Sequence, residues 1–337
     1  MQILKCCALL FFLTGMLAFS QVTYTVKSGD TLNQIAQAFK LNVADIVSAN
    51  QLENPDLIEI DQILIIPAFH NWTDPLPQPI ISLSLEPQFA TQGEVQTLTL
   101  NTQSTADLTI SYLGETIPSF QTDDQIQAYL ATPVLQEPGQ GTLSIMNNNT
   151  LLFLPVRLQE GNYDVENINL SAGTSQLLSP EIVRREHALL KNTCANYTPA
   201  QLWEGSFQHP VESPEYTSMF GTKRSYNNGP ISGFHRGQDY RGQTGTPVYA
   251  TANGTVSLGE RLELYGNTVV LNHGLGICSA YMHLSEIAVT QGQTVQAGEL
   301  LGYIGATGLV TGSHLHFEIR VNGVPVAPQQ WIIGTLE

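Results

Sequence analysis

The stretch SHLHFEIRVNG, residues 313–323, alternates polar and apolar side chains from His314 onward. Successive side chains of an extended chain point to opposite faces, so this alternation predicts a β-strand with one buried face. His314 and His316 are two positions apart, and the same parity predicts that both imidazoles face one side of the strand. The strand therefore presents two neighbouring imidazoles that could bind a metal or carry protons.

A second stretch, GFHRGQDYRG at residues 233–242, contains a histidine and an aspartate four positions apart and is too rich in glycine to be a helix. In an extended segment, this even separation predicts that His235 and Asp239 lie on the same side. Two imidazoles and a carboxylate form a ligand set that catalytic zinc accepts, because a working zinc site leaves its fourth position for water. The spacing alone also fits a polar strand face without a metal.

Both stretches lie in residues 206–332, where short runs rich in Val and Thr are separated by glycines, a pattern that predicts an all-β domain. The domain contains three motifs in order, H-x-x-x-D, then Y-x-H-L, then H-x-H-F-E, and it resembles the lysostaphin-type (LytM-type) murein endopeptidase family. The resemblance implies a zinc metalloendopeptidase. The Zn²⁺ ligands that it implies are His235, Asp239 and His316, and the catalytic histidines that it implies are His283 and His314.

The resemblance also directs attention to neighbouring residues. Arg224 and Tyr226 precede the first ligand, in a segment that often lines the cleft in this family, so they are candidates for substrate contacts, while a plain loop role is the more common interpretation of such residues. Glu318 should face the same side as His316 and could support a histidine ligand. Many relatives have proline directly before the H-x-H pair, whereas this chain has Ser313, a difference that affects the expected shape of the cleft more than ligation.

Residues 22–67 predict a small domain with the order strand, helix, helix, strand. A β-type run at 24–26 ends at a Ser-Gly-Asp turn, two short apolar repeats at helical spacing follow, and residues 63–66 predict the closing strand. The runs YTVKSGDTLNQIA, SANQL and ILIIP resemble the LysM domain over nearly its full length. The resemblance implies binding to N-acetylglucosamine-containing glycans such as the peptidoglycan strand.

The middle of the chain is predicted to connect these two domains. Residues 68–79 are polar and contain proline, as in a linker. Apolar residues then alternate between turn clusters from 80 to 172, which predicts an immunoglobulin-like β-sandwich spacer. Ser179-Pro180 predicts a helix start, so residues 178–205 are interpreted as a helix and linker. The sequence leaves open whether the region before residue 206 covers the cleft.

Residues 1–20 combine an early lysine, a short apolar run and a small-residue end, which predicts a secretory signal peptide cleaved near Ser20. The run is shorter than the roughly 20 residues of a membrane span, so we expect no transmembrane span in the mature chain. A retained N-terminal anchor is the alternative. The expected location is secreted or periplasmic, within the cell envelope. Whether Cys194 and Cys278 form a disulfide stays open at this point.

The composition narrows the class of partner. The chain of 337 residues has 13 Lys and Arg against 29 Asp and Glu, a formal net charge of −16 at pH 7. A surface without excess positive charge cannot neutralise phosphates, so no nucleic acid partner is expected.

The fold class is therefore predicted as mainly β and multidomain: a βααβ LysM domain, an immunoglobulin-like β-sandwich and a C-terminal all-β metallopeptidase domain. The predicted function is a secreted zinc endopeptidase that cleaves peptide cross-links or bridges of peptidoglycan, with glycan strands bound by LysM and stem peptides by the catalytic cleft. One alternative is a non-enzymatic envelope regulator that binds peptidoglycan and activates other wall hydrolases, and another is a pure glycan-binding protein. Retention of all five site residues favours the enzyme.

Overall fold

The computed structural model describes residues 23–38, 43–50, 52, 54–66, 76, 78–103, 107–122, 125–147, 150–169 and 176–332. The predicted signal peptide at 1–20 and most of the predicted linker lie outside these residues. The chain divides into two compact units, residues 1–71 and 72–337. No helix in the described ranges has both the length and the apolar character needed to cross a membrane.

The predicted mainly β class is confirmed. The helices are α1 (Leu32–Ala38), α2 (Val43–Asn50), α3 (Pro180–Ala195) and α4 (Gln329–Ile332), with a 3₁₀ turn at Gln176–Leu178. The strands are β1 (Thr23–Thr25), β2 (Ile63–Ile65), β3 (Ile80–Glu86), β4 (Ala90–Thr91), β5 (Val95–Thr102), β6 (Leu108–Tyr112), β7 (Glu115–Ile117), β8 (Phe120–Thr122), β9 (Gln125–Ala131), β10 (Gly139–Asn147), β11 (Thr150–Gln159), β12 (Val165–Ile168), β13 (Tyr216–Ser218), β14 (Lys223–Tyr226), β15 (Ile231–Phe234), β16 (Gln238–Arg241), β17 (Pro247–Tyr249), β18 (Gly254–Leu262), β19 (Gly266–Gly274), β20 (Ile277–Leu284), β21 (Glu286–Ile287), β22 (Thr294–Val295), β23 (Leu300–Tyr303), β24 (His314–Val321) and β25 (Val324–Val326).

The first unit has the predicted order of strand, helix, helix and strand, with β1 antiparallel to β2. Asn50 connects the end of α2 to β2. Its side-chain amide donates to the carbonyls of Ile46 at 2.8 Å and Ile65 at 2.7 Å, and its Oδ1 accepts from the Ile65 N–H at 2.6 Å. The asparagine in the SANQL run therefore supplies backbone partners that a two-stranded sheet leaves unpaired.

Two sheets form the sandwich at residues 80–159: one has the strand order β3-β5-β9-β8 and the other β4-β11-β10-β6-β7. Alternate residues are buried along β5 and β10, as the period-two pattern predicts. A buried hydrogen bond of 2.7 Å joins the Tyr112 hydroxyl of one sheet to Thr132, which follows β9 of the other.

Strand β12 leaves the sandwich although it falls within the 80–172 segment of the sequence prediction. It pairs in parallel with β14 and forms a three-stranded sheet with β14 and β15. Tyr163 explains the change of sheet, because its hydroxyl donates to the Gln92 carbonyl while its ring occupies the space beside Gly93 and Gly221. A Cβ at Gly221 would overlap this ring, and a Cβ at Gly93 would overlap the Tyr163 hydroxyl and the Phe220 ring, so the sandwich and the following residues pack closely here.

The C-terminal β domain, residues 206–332, is built on an eight-stranded sheet of order β13-β16-β24-β20-β19-β18-β22, with β25 paired to β24. Every residue of β20 is buried. One buried cluster contains Trp203, Phe207 and Trp331 with residues of this sheet. A second cluster packs Leu190 and Cys194 of α3 against Val270 and Met282. The sheet is therefore covered by apolar side chains from outside its own strands.

Helix α3 begins after Ser179, whose Oγ accepts from the Ile182 N–H at 3.4 Å, with Pro180 in the first turn. The helix ends at Ala195, and the preceding Cys194 forms a disulfide with Cys278 of β20. The pairing that the sequence left open is therefore present, and it attaches α3 covalently to the most buried strand of the sheet.

We predict that replacing both cysteines, as Cys194→Ala with Cys278→Ala, lowers the free energy of unfolding by about 2–5 kcal/mol, because the bond closes a long loop of the unfolded chain. The sequence separation is 84 residues. Denaturation by guanidinium, with and without dithiothreitol, measures the effect. Reductant should lower the stability of the parent protein and leave the double variant unchanged. An equal response of both proteins to the reductant would contradict the prediction.

Candidate metal centre

Three side chains of the C-terminal β domain converge on one point. His235 Nε2 lies 3.0 Å from Asp239 Oδ1 and 2.9 Å from His316 Nδ1, and His316 Nδ1 lies 2.8 Å from Asp239 Oδ1. All three residues are buried. Among the described residues, no other group of three or more His, Cys, Asp or Glu side chains brings its ligand atoms within 4.8 Å of one another.

Strand pairing accounts for two of these positions. Strands β16 and β24 are antiparallel neighbours with Asp239 directly opposite His316, so the register fixes the carboxylate beside the imidazole. His235 arrives differently from the sequence prediction, which placed it on one extended segment with Asp239. It follows the end of β15, and the chain bends at 235–237 before β16 begins. The bend, rather than strand parity, turns His235 toward the other two residues.

Gly237 permits this bend. A Cβ built at Gly237 would lie 2.3 Å from the Phe317 carbonyl oxygen and 2.9 Å from His316 Nε2. Contacts this short do not occur between real atoms, so a side chain here would push β24 away from the bend. The second glycine of the GFHRGQDYRG stretch is therefore required by close packing against the histidine strand.

The second nitrogen of each metal-site histidine already has a partner. His235 Nδ1 lies 2.9 Å from the Met219 carbonyl, which can only accept, so this nitrogen carries the proton and Nε2 carries the lone pair. His316 has the opposite arrangement, because its Nε2 lies 3.1 Å from Glu318 Oε1 and its Nδ1 faces Asp239. Glu318 is fully buried and is paired with Arg320 at 2.7 Å. These contacts orient both imidazoles with a lone pair toward the shared point.

The electrostatics of the site favour a cation. Burial opposes the charge of Asp239, yet the imidazoles of His235 and His316 hold the pKa of this carboxyl well below its usual range. Burial lowers the pKa of His235 to about 4, so its ring is neutral near pH 7. The pKa of His316 is raised to about 9: burial opposes this shift, but hydrogen bonds to Asp239 and Glu318 prevail. Two carboxylates around one imidazole therefore attract either a proton or a metal ion.

These residues fit zinc. Zinc bonds to nitrogen and oxygen ligands are about 2.0–2.2 Å long, so tetrahedral ligand atoms stand about 3.3–3.5 Å apart. The three atoms here are 2.8–3.0 Å apart, and an outward shift of a few tenths of an ångström would seat the ion. Two imidazoles and one carboxylate are also the ligand types of catalytic zinc sites, which keep a further position open.

Two more imidazoles stand beside this group. The His283 ring is 5.0 Å from the His314 ring and 5.9 Å from the His316 ring, measured between centroids. His283 Nδ1 donates to the Thr307 carbonyl at 2.8 Å, and His314 Nδ1 donates to the Gly312 carbonyl at 2.9 Å. Both rings therefore keep Nε2 as a lone-pair atom when neutral. Burial lowers the pKa of His283 to about 3, so this ring is neutral near pH 7.

A cleft of about 290 Å³ opens beside this group and is lined by Asp239, His283, His314 and His316. Arg224 and Tyr226 of β14 lie in its wall, and Arg224 Nη2 is 3.5 Å from Asp239 Oδ2. The opposite loop contributes residues 309–311. The cleft is therefore lined by six of the seven predicted catalytic, metal-binding and substrate-binding residues. The seventh, His235, does not line it but lies against Asp239 and His316, which do.

The sequence prediction missed one wall of the cleft. Residues 166–169, on and just after β12, line it, and Glu166 Oε2 lies 3.8 Å from Arg224 Nε. Asn167 holds this wall in place, because its Oδ1 accepts from the Asn228 N–H at 2.8 Å. The apolar residues Tyr163, Val165 and Ile168 indicated a last strand of the sandwich but carried no signal that the strand would join a different sheet. Helix α3 contributes no residue to the cleft lining, so it does not cover the cleft.

The remaining histidines of the described residues lie outside the cleft lining. His273 is fully buried and connects the Asn253 carbonyl at 2.7 Å to Ser279 Oγ at 2.7 Å, in keeping with a role in the fold. His187 packs near the Tyr265 ring, and His209 lies 3.3 Å from the Tyr240 hydroxyl.

A buried His-Asp-His group with two further imidazoles at an open cleft, on a β-sheet domain, defines a site of the metallopeptidase class. The profile of peptidase family M23 matches residues 233–328, and the profile of the LysM domain matches residues 24–67. The chain therefore carries a peptidase family M23 domain and a LysM domain, and the resemblance seen in the sequence is confirmed.

Known proteins share these parts. The DD-carboxypeptidase/endopeptidase Mpg of Neisseria meningitidis serogroup B is 44% identical over 103 residues, which cover 31% of this chain and 24% of that protein. The peptidoglycan DD-endopeptidase ShyA of Vibrio cholerae is 39% identical over 120 residues, covering 35% of this chain and 28% of that protein. The chain thus matches about a quarter of the length of these relatives.

A structural likeness extends further along the chain. The crystal structure of a putative peptidase M23 from Pseudomonas aeruginosa aligns with a TM-score of 0.55 and 25% identity. The alignment covers 73% of this chain and 96% of that one, so the shared fold extends beyond the segment that the family profile matches.

We predict that Gly237→Ala lowers the zinc affinity of the protein by at least tenfold, because the new methyl group must displace the strand that carries His316. Gly233→Ala is the matched control, since a Cβ at Gly233 meets nothing within 4 Å. Competition with a fluorescent zinc chelator measures both affinities. Equal zinc affinities in the two variants would refute the role assigned to Gly237.

Proposed function

We propose that this chain is a zinc-dependent endopeptidase that hydrolyses peptide cross-links or bridges of peptidoglycan. The observation that carries the proposal is the convergence of His235, Asp239 and His316 within 3.0 Å of one another, beside an open cleft that also holds two imidazoles. The names of the relatives, which describe peptidoglycan DD-endopeptidase activity, support the same substrate class.

The proposal assigns the metal to His235 Nε2, Asp239 Oδ1 and His316 Nδ1. Zinc, when bound, supplies a Lewis acid that polarises a carbonyl and makes water reactive near neutral pH. The proton of His235 stays on Nδ1 toward Met219, which leaves Nε2 available to the metal. His316 has a pKa raised to about 9, so it is protonated near pH 7 and would release its Nδ1 proton when the metal binds, keeping the proton on Nε2 toward Glu318. The ligands do not lie in an H-E-x-x-H motif, in which a glutamate next to a ligand is the general base, and the glutamate near His316, Glu318, is paired with Arg320 at 2.7 Å.

Proton transfer falls to His283 and His314 in this proposal. Each has Nδ1 tied to a backbone carbonyl, so Nε2 is the atom free to take a proton from the attacking water and return it to the leaving amine. His314 Nε2 lies 3.8 Å from Asp239 Oδ1, close enough to serve a substrate bound at the metal. Fixed ring positions reduce the reorganisation that the transition state requires.

Arg224 and Tyr226 are proposed as substrate contacts. The Arg224 guanidinium lies between Glu166 and Asp239, at 3.8 Å and 3.5 Å, and faces the cleft. A guanidinium at this depth suits a carboxylate or carbonyl oxygen of a stem peptide. The two flanking carboxylates hold its position in the absence of substrate.

The proposal also includes how the enzyme reaches its substrate and in which compartment it acts. A glycan-binding domain on the same chain raises the effective concentration of wall peptide at the cleft without altering the chemistry. The disulfide between Cys194 and Cys278 is typical of an oxidising compartment, which supports secretion into the periplasm or cell envelope after removal of residues 1–20. A net charge of −16 gives no attraction to an anionic wall, so targeting depends on LysM contacts.

The proposal predicts two classes of histidine variant. His235→Ala and His316→Ala should lose both zinc and activity. His283→Ala and His314→Ala should keep zinc but lower turnover about 10²–10⁴-fold, the usual contribution of a positioned acid or base. Elemental analysis of the purified proteins and release of soluble fragments from peptidoglycan sacculi measure the two properties.

The control removes the metal from the parent protein with a chelator and then adds zinc, which should abolish and then restore the release of soluble fragments. A parent protein that cleaves no sacculi after zinc is supplied, yet binds peptidoglycan and stimulates another wall hydrolase, would overturn the proposal in favour of the non-enzymatic regulator. Binding without cleavage or stimulation would instead leave a glycan-binding protein.

We also predict that removing residues 1–67 slows hydrolysis of insoluble sacculi at low substrate concentration by about tenfold or more, because tethering no longer raises the local concentration. The rate on a small soluble cross-linked peptide should be unchanged within twofold. Comparing the two substrates at equal enzyme concentration tests this. A similar loss on both substrates would show that the first unit does more than target the enzyme.

A further inference from the structure

Glu186 is a buried carboxylate in α3, outside the segment 233–328 that matches the peptidase family. It is 2% exposed and accepts three backbone N–H groups from the turn that joins β18 to β19. The distances are 2.7 Å to Glu263 N, 2.9 Å to Leu264 N and 3.4 Å to Tyr265 N. A carboxylate is stable at such depth only when hydrogen bonds replace the water that it loses. The buried Glu186 therefore depends on the N–H groups of the turn, and the conformation of the turn depends on Glu186.

The turn makes two backbone hydrogen bonds and one ring contact with the site. The Tyr265 carbonyl accepts the backbone N–H of His283 at 2.9 Å, and the Leu264 carbonyl accepts the N–H of Leu309 at 2.7 Å. Leu309 belongs to the loop that lines the cleft. The Tyr265 ring also stacks at 6.4 Å from the His316 ring. Displacement of the turn would therefore move the backbone of His283 and one wall of the cleft.

The residues after the turn hold the ring of His283. Gly266 packs so closely against Thr307 that a Cβ there would lie 2.4 Å from the Thr307 carbonyl oxygen, and the Asn267 N–H donates to Thr307 Oγ1 at 2.9 Å. The same Thr307 carbonyl accepts the proton of His283 Nδ1. The segment 264–267 thus determines both the backbone and the ring orientation of His283.

His283 needs this support because of its own conformation. Its φ is 61°, in the left-handed region that non-glycine residues adopt only where surrounding contacts impose it. The hydrogen bond from its N–H to Tyr265 and that from its ring to Thr307 are such contacts. Both depend on the turn that Glu186 holds.

We propose that Glu186 is a positioning residue for His283: through the backbone of residues 263–265, a carboxylate on the helix before the peptidase domain fixes the orientation of that imidazole in the cleft. Glu186 itself does not touch the cleft. The inference rests on the proposed function for its effect on turnover, but the geometry of His283 can be measured without activity.

The test compares Glu186→Gln with two matched variants of the full-length protein. Leu190→Ala removes buried apolar packing from the same helix and leaves the three hydrogen bonds of Glu186 in place, so it reports a loss of stability alone. Glu181→Gln removes an exposed carboxylate from the first turn of the helix, so it reports the loss of charge alone. Steady-state hydrolysis of a soluble cross-linked peptide gives kcat and KM, and elemental analysis gives the zinc content.

We expect Glu186→Gln to lower kcat about 100-fold, the effect of displacing a catalytic group by about 1 Å, with KM within twofold and zinc content unchanged. Leu190→Ala and Glu181→Gln should retain kcat within threefold, even where Leu190→Ala lowers the melting temperature as much. Glu186→Asp, which keeps the charge but not the reach, replaces Glu186→Gln if that variant does not fold and should also lower kcat at constant zinc content.

Long-range ¹H–¹⁵N spectra of the imidazoles in the zinc-loaded proteins provide the measurement that is independent of turnover. The signals of His283 should shift in Glu186→Gln while those of His235 stay in place; His316 does not serve as the reference, because the Tyr265 ring of the turn stacks against its ring. An unchanged kcat with unshifted His283 signals, or a kcat loss that Leu190→Ala reproduces at equal stability, would overturn the inference. If the parent protein hydrolyses no peptide, the proposed function fails and the spectra alone decide whether Glu186 positions His283.

Discussion

Three polar atoms held within 3.0 Å of one another in a buried position are the constraint on which this molecule depends. Two imidazole nitrogens and a carboxylate oxygen do not converge spontaneously in a low-dielectric interior, because burial disfavours the charges of such a group. Strand register brings two of the three residues together, since Asp239 lies directly opposite His316 in the pairing of β16 with β24. The rest comes from the bend at 235–237, whose tight packing only a glycine allows.

Three of the four imidazoles of the site are held by the same kind of hydrogen bond, and His316 is the exception. His235, His283 and His314 each donate Nδ1–H to a backbone carbonyl, so the backbone sets which nitrogen faces the cleft. His316 reverses the tautomer because the acceptor for its second nitrogen, Glu318, lies two residues along the same strand. Arg320, two residues further, completes a row of charged side chains on one face of β24. Backbone carbonyls at three histidines, and the Glu318–Arg320 ion pair at the fourth, thus determine which ring nitrogen carries the proton.

The sequence predicted those parts of the structure that depend on short-range pattern. Strand β24, the βααβ order of the first unit and the start of α3 at Ser179 follow from alternation, helical spacing and capping. The grouping of His235 with Asp239 was predicted for the wrong physical reason, since a bend rather than parity produces it. The wall at 166–169 and the contact of Glu186 with residues 263–265 were not predictable, because both join segments far apart in sequence through backbone groups that carry no residue-specific signal. The disulfide was undecidable from two cysteines alone, as distance in space does not follow from separation along the chain.

Because of strand β12, the cleft is lined by residues from two parts of the chain: the segment that follows the sandwich and the C-terminal β domain. Only five residues separate the end of β11 in the sandwich from β12 in the cleft wall, and Tyr163 fills the space between them. A tilt of the sandwich would therefore be transmitted to one side of the cleft. It would also reach the segment of His235, because Tyr163 packs against Gly221, whose N–H donates to the His235 carbonyl at 2.8 Å. The width of the cleft and the position of one metal-site histidine are consequently coupled: substitutions around Tyr163, in a part of the chain with no catalytic group, would alter both which peptides can enter and how His235 is held.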